Sequence, residues 1–370
     1  MNNELNQDLV VGLDAGGTRI RAVLATAGEG RPLGEGVAGP GNALTVPVPQ
    51  LTEHLAEAVG RAVPEGARDR VVAVAGGFAG ATGASPDEPG QLNALAALTA
   101  ALGGLGIRTE PIALCSDIEA AFASAPGAPA DGLALVAGTG AVAARISGRH
   151  CAATVDGDGW LLGDDGSGFW IGRGAARAAL RMADGRGRPT QLAATVGRAL
   201  GLPEDCLPYE PEGCLPYEGD GAVPETPYER DGAVPKKPCE KEGAVPKGSQ
   251  GWSRDRREAF RMHLLPTVMA QPPIRLARLA PLVAEAARRD DAVAGEILDQ
   301  AAEHLTDTVR ALEPRPGERI VATGGLLGPD GPLTEPLTRR LHALGLTLDW
   351  VADGCRGAVA LARLAHGGRG

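Results

Sequence analysis

Two α/β domains, each a mixed sheet flanked by helices, are what this sequence predicts, and three observations carry the prediction. A pattern of apolar strand, glycine turn, alternating strand and third short strand occurs twice, about 125 residues apart, as a duplicated domain would place it. The chain is 370 residues long, enough for two ordinary domains. Its 44% hydrophobic content comes with only 3% aromatic residues, so Ala, Val, Leu and Ile fill the core.

The elements follow in order. The opening, MNNELNQDLVVGLDAGG, lacks the basic start and continuous apolar stretch of a signal peptide. No run reaches the ~18 apolar residues that span a bilayer, and a cytoplasmic location is expected. DLVVGLDAGGTRIRAVLATAGEGRPLGEG reads as a meander: an apolar run, the turn Asp14-Ala15-Gly16-Gly17-Thr18, an alternating run at Ile20, Ala22 and Leu24, and a second glycine-rich turn. Asn42 sits in the turn GPGNALTV, and PIALCSDIEAAFASA is an apolar strand entering a helix with Asp117 at the junction. The second meander is DGLALVAGTGAVAARISGRHCAATVDG, with Gly138-Thr139-Gly140 at its first turn. Gly163-Asp164-Asp165-Gly166-Ser167-Gly168 then precedes a helix containing Phe169, Trp170 and Ile171. Arg319-Ile320-Val321-Ala322 is a strand that ends at Gly324-Gly325, and residues 357–364 have a helical pattern.

Residues 203–250 differ in kind. GAVP begins at 221, 232 and 243, an 11-residue repeat. The segment holds every Lys of the chain (Lys236, Lys237, Lys241, Lys247) and every Tyr (Tyr209, Tyr217, Tyr228). Proline at this density with few branched apolar residues cannot bury enough surface to offset ordering entropy, so a low-complexity surface insert is expected.

Several functions are disfavoured. A net charge of −10 argues against a broad grip on nucleic acid or an anionic membrane. No Lys is available outside the insert for a Schiff base, a P-loop or a protein-kinase site. The six cysteines form no C-x-x-C pair and the six histidines no H-E-x-x-H, so neither zinc nor a disulfide framework is signalled.

Glycine turns that end hairpins have a physical use. Without Cβ atoms the backbone can approach an anion, and consecutive N–H groups point at phosphate oxygens. Two such hairpins can hold a triphosphate between them. A competing reading takes Gly138-Thr139-Gly140-Ala141-Val142-Ala143 as a dinucleotide fingerprint with Asp158 further on, but that motif opens a helix, and Ser147-Gly148 follows too soon for one.

VVGLDAGGTRIRAVLA resembles the first phosphate motif of the sugar kinase, heat-shock protein 70 and actin superfamily, LALVAGTGAVAARI its second, and RIVATGGLLG its adenosine motif. Within it, DGDGWLLGDDGSGFWIGRGAARAAL resembles the signature of the BadF/BadG/BcrA/BcrD ATPase family, to which N-acetylglucosamine kinases belong. The resemblance implies two actin-like (ribonuclease H-like) domains at 1–125 and 126–350 around a nucleotide cleft, with 351–370 packing back on the first. It also implies ATP with Mg²⁺ as cofactors, an amino sugar as substrate (N-acetylglucosamine or glucosamine), and neither nucleic acid nor membrane as partner; a homodimer is admitted.

By the same resemblance, Gly16, Gly17, Thr18 and Arg19 form one phosphate turn, Gly138, Thr139 and Gly140 the other, and Gly324 and Gly325 take the adenosine. Asp14 is placed at the metal, Asp117 as general base, and Asn42, Asp117, Gly140 and Asp164 at the sugar. The chain departs from the family where a tryptophan is usual, carrying Asp158, a carboxylate that would favour free amines. Two other functions share the fold: an ATPase that activates another enzyme through cysteine-held iron–sulfur clusters, and a sugar sensor without catalysis. Sensors carry a helix-turn-helix ahead of the first phosphate motif, for which eight residues before Leu9 leave no room.

Overall fold

A computed structural model describes residues 7–81, 87–208 and 252–367. Strands β1 (Leu9–Ala15), β2 (Ile20–Thr26) and β3 (Pro32–Ala38) form the first meander, followed by helix α1 (Val48–Ala62), β4 (Val71–Phe78), α2 (Pro89–Gly104), β5 (Ile112–Ser116) and α3 (Asp117–Ala123). The second unit repeats the plan with β6 (Gly132–Ala137), β7 (Ala141–Ser147) and β8 (His150–Asp156). Helices α4 (Gly159–Leu162), α5 (Gly168–Ala183), α6 (Leu192–Ala199), α7 (Arg254–Met269), α8 (Ala280–Arg288) and α9 (Ala292–Arg310) come next. The chain closes with β9 (Arg319–Thr323), α10 (Thr334–Ala343), β10 (Thr347–Trp350) and α11 (Cys355–Gly367).

The sheets run β3-β2-β1-β4-β5 and β8-β7-β6-β9-β10. In each, the meander strands pair antiparallel and the two later strands join the first in parallel, so the mixed, duplicated architecture expected from the sequence is present.

Helices cover both faces of each sheet, which is why β1 and β6 read as continuous apolar runs rather than alternating ones. Leu9, Val11 and Leu13 face α1 and α2, meeting Leu51, Leu55 and Leu98. Val10 points the other way, into a cluster with Val359 and Ala362 of α11. Gly12 lies between them, where a Cβ would fall 2.5 Å from the Val359 nitrogen, so α11 seats directly on the β1 backbone. In the second sheet, Leu133 and Leu135 face the α5, α8 and α9 core. Ala134, Ile146 and Val321 instead meet Ile118 and Phe122 of α3. Helix α3 therefore continues a strand of the first sheet while packing on the second, and carries Asp117 at its first turn.

Most of the expected insert lies outside the described residues. Its first six positions, 203–208, are described: Glu204–Cys206 form a 3₁₀ turn, Pro203, Glu204 and Asp205 are exposed, and Cys206 and Leu207 are buried, as is Trp252 beyond the segment. The apolar core thus reaches further into this segment than its proline content suggests.

Candidate functional site

Asp14 lies near the end of β1 and Asp117 follows β5, two strands that run parallel on either side of β4, so both residues lie along the edge of the first sheet formed by the carboxyl ends of these strands. Asp14 Oδ2 accepts the Gly354 N–H at 3.1 Å. Burial, with the charges of Asp353 and Asp117 nearby, raises its pKa from 3.8 to about 6. Asp353, just before α11, pairs with Arg21 of β2 and accepts the Cys355 N–H at 2.9 Å through its Oδ1. Potential ligand atoms of Asp14, Asp353 and Cys355 all lie within 4.8 Å of one another.

Two carboxylates suit Mg²⁺, a hard cation that takes oxygen ligands. The buried Cys355 thiol does not, because burial and the adjacent carboxylates push its pKa up and keep it protonated. The donor set fits Mg²⁺ through Asp14 and Asp353.

The turn after β1 is closed by the Gly16 N–H, which donates to the Arg19 carbonyl at 3.0 Å, leaving Gly17 and Thr18 exposed. The Arg19 side chain makes no hydrogen bond or ion pair among the described residues; its guanidinium sits in the fields of Arg21, Asp353 and Asp14. The neighbouring Gly41 N–H donates to the Gly16 carbonyl at 2.9 Å. That contact brings Asn42 beside the turn, where its Oδ1 accepts from Leu44 and Thr45 at 2.9 and 3.0 Å. The carbonyl half of Asn42 is therefore engaged in its own turn.

Asp117 is half-buried, and its Oδ1 accepts the Ile118 N–H at 3.0 Å. Burial, then the Glu119 charge, holds its carboxyl above the usual carboxylate range. Glu119 fixes the start of α3: its Oε2 accepts the Ser116 N–H at 2.7 Å while Ser116 Oγ accepts the Glu119 N–H at 3.2 Å, a capping box. The other Glu119 oxygen accepts the Cys151 N–H at 2.7 Å, tying α3 to β8 of the second sheet.

The second glycine turn, 138–140, is braced from two sides. The N–H groups of Gly168 and Phe169, at the start of α5, donate to the carbonyls of Gly138 and Thr139 at 2.8 and 3.1 Å. Asp164, buried at 7% exposure, accepts the Ala141 N–H at 3.0 Å and abuts Gly140, where a Cβ would meet its Oδ1 at 2.7 Å. One Asp164 oxygen thus supports the turn, a contact its expected place at a sugar did not anticipate. Gly324, at φ 113°, lies against Ala137 and Gly138, and a Cβ there would meet the Ala137 carbonyl at 2.2 Å. A Cβ at its neighbour Gly325 would meet nothing within 4 Å, so the 324–325 and 138–140 glycine turns adjoin with room beside them.

Asp158 is exposed at the head of α4, and Trp160, two residues on, packs edge-to-face on Phe169 at 5.9 Å. Sequence reasoning missed Asp353, Arg21, Glu119 and Asp156, whose partners are backbone groups or distant residues. An Asp-Gly pair at 156–157 and another at 353–354 are the available signals, a pairing that turns commonly carry.

The sequence profile of the BadF/BadG/BcrA/BcrD ATPase family matches residues 11–335. Among solved structures, a candidate N-acetylglucosamine kinase from Porphyromonas gingivalis is similar at TM-score 0.64 and 19% identity, over 97% of this chain and 99% of that one. Another, from Chromobacterium violaceum, is similar at TM-score 0.62 and 20% identity, over 96% and 99%. At these identities the likeness is one of fold. No curated protein matches the sequence. Among the described residues no helix is long and apolar enough to cross a membrane.

Proposed function

We propose, from the premise that this chain belongs to the BadF/BadG/BcrA/BcrD ATPase family, that it is an ATP-dependent kinase that phosphorylates an amino sugar, N-acetylglucosamine or glucosamine. The observation that carries this reading is Asp117: a half-buried carboxyl raised in pKa, held by a capping box at the start of α3, at the same sheet edge as Asp14. A general base works best with a pKa near the operating pH, and burial moves Asp117 that way.

Phosphoryl transfer demands positioning and charge neutralisation more than covalent chemistry from the protein. Gly16, Gly17 and Thr18 with the unpaired Arg19 on one side, and Gly138, Thr139 and Gly140 on the other, supply backbone donors and a cation for the phosphates. Gly324 and Gly325 leave space for adenine and ribose. Asp14 and Asp353 would hold Mg²⁺, which neutralises phosphate charge when bound. Asn42, Gly140 and the second oxygen of Asp164 face the acceptor sugar in this reading, and Asp117 takes the proton of the attacking hydroxyl. Residues 1–125 and 126–350 act as the two jaws, closing to exclude water, with 351–370 crossing onto the first.

Among the described cysteines the iron–sulfur activator reading gains no support, since Cys206 and Cys355 are buried and Cys115 and Cys151 are half-buried in strands β5 and β8. The test is a panel of hexoses and amino sugars with Mg-ATP, scored by ADP production. Asp117→Asn is expected to keep ATP affinity and lower turnover by roughly 10²–10⁴-fold. Undiminished turnover would remove Asp117 from the reaction, and ADP release independent of any sugar would favour an ATPase.

A further inference from the structure

We propose that Asp156 is a positioning residue: its carboxylate closes the loop 156–165 and so holds Asp164 against the glycine turn at 138–140. The inference rests on reading that turn as a phosphate loop only for its consequence in catalysis; the mechanical part stands on contacts alone.

Asp156 ends β8 opposite Val142, one residue past the turn's exit strand start. Its Oδ1 accepts the N–H groups of Gly157 at 2.7 Å and Asp164 at 2.6 Å, and its Oδ2 accepts that of Asp165 at 2.9 Å. One carboxylate therefore clasps both ends of the loop. Little else does so. Helix α4 within the loop has one turn and no side-chain cap, and Leu161 and Leu162 are 71% and 82% exposed. Gly163 is shaped to the clasp, because a Cβ there would lie 2.3 Å from Asp156 Oδ1. Asp156 and Asp164 both have left-handed backbones, φ 64° and 57°, conformations that need support when the residue is not glycine.

The contacts form a continuous relay. The Asp156 carboxylate fixes the Asp164 main chain, and the Asp164 carboxylate fixes Gly140 and Ala141 through the 3.0 Å bond to the Ala141 N–H. Releasing the first link lets Asp164 turn away and frees the turn that Gly168 and Phe169 brace from its other side.

The test compares Asp156→Gly, Asp156→Asn and Asp165→Asn in the full chain. Glycine accepts φ 64° without strain, so Asp156→Gly removes the carboxylate while leaving the backbone at ease. Asparagine keeps an oxygen for Gly157 and Asp164 but turns an N–H₂ toward the Asp165 donor. Asp165→Asn removes an exposed charge from the same loop and breaks no hydrogen bond of the relay. Amide exchange at Asp164, Asp165 and Ala141 should quicken about tenfold or more in Asp156→Gly, with Asp156→Asn between it and the native chain and Asp165→Asn unchanged. Mg-ADP affinity by calorimetry should weaken about tenfold, and the KM for Mg-ATP should rise in proportion with kcat changing less. A residue that merely stabilised the fold would lower kcat through the folded fraction, leave KM unmoved and quicken exchange alike across the core strands, with no excess at Ala141. That result, in Asp156→Gly or in Asp156→Asn should the glycine variant not fold, overturns the proposal. If the native chain phosphorylates no sugar, the kinase reading fails, while amide exchange at Ala141 still decides the relay.

Discussion

Two carboxyls at one sheet edge are raised in pKa by the same cause, burial, and the proposed chemistry uses them differently. Beside burial, Asp353 and Asp117 add negative charge at Asp14, and Glu119 adds it at Asp117. The Asp14 pKa of about 6 in the fold, against 3.8 when unfolded, means that the folded state holds the proton more tightly. The stabilisation this brings is complete below pH 3.8 and is lost as pH rises through about 6. Above that, ionised Asp14 costs up to about 3 kcal/mol, at ~1.4 kcal/mol per pH unit. With metal chelated, Asp14→Asn should therefore be more stable than the native chain in urea at pH 7.5, and the difference should vanish near pH 4. Equal stability at pH 7.5 would show that Asp14 is not strained. The same variant should bind Mg²⁺ poorly, so the site's stability cost and its use trace to one group. Asp14 and Asp117 were legible in the sequence because each ends an apolar strand at a turn. Asp353 was not, since its partner Arg21, and the Asp14 carboxylate that the adjacent Gly354 N–H reaches, lie more than 300 residues away along the chain.

At the level of elements, the order of strands was legible because glycine turns and apolar runs repeat in the same succession, and local sequence dictates hairpins. What covers each face was not, because it depends on which helices return to a sheet. Gly12 shows why: in sequence it is one glycine inside an apolar strand, and in the fold it is the point where α11 touches β1. Gly12→Ala would drive a methyl group into the Val359 nitrogen at 2.5 Å and the Cys355 carbonyl at 2.9 Å, both backbone, which cannot step aside as a side chain does. A loss of about 1–3 kcal/mol in urea unfolding is expected, with weaker Mg²⁺ binding because Asp353 and Gly354 immediately precede α11. Gly103→Ala is the contrasting case, since its Cβ would meet nothing within 4 Å near the end of α2. That substitution should be neutral or gain up to about 1 kcal/mol. Equal effects at the two sites would mean that α11 does not seat on β1 as described.

At the scale of the whole molecule, the repeat-bearing segment is bounded by residues that belong to the core of the second sheet and its helices. Composition alone marked it from residue 203, because proline and charge begin there. Packing marks a later start. Leu207 is 1% exposed within the main core and Trp252 is 3% exposed. Trp252 Nε1 donates to the Cys206 carbonyl at 2.8 Å, and Arg256 donates to the carbonyls of Asp205 and Leu207 at 2.5 and 2.6 Å. Residues 207 and 252 are thereby held close, so a short Gly-Ser bridge can join 208 to 252 without moving either end, and loop length itself contributes little free energy. Replacing 209–251 in this way should leave the melting temperature within a few degrees and the kinetic constants nearly unchanged. Removing 205–247 instead deletes Leu207 from the core and the carbonyl that receives Trp252, and should cost about 2–5 kcal/mol, the scale of a large-to-small core substitution. The pair of deletions separates two ideas about the segment. If both are harmless, the Leu207–Trp252 closure carries no stability. If 209–251 is itself needed for activity at unchanged stability, the repeat contacts a substrate or partner rather than serving as an expendable loop.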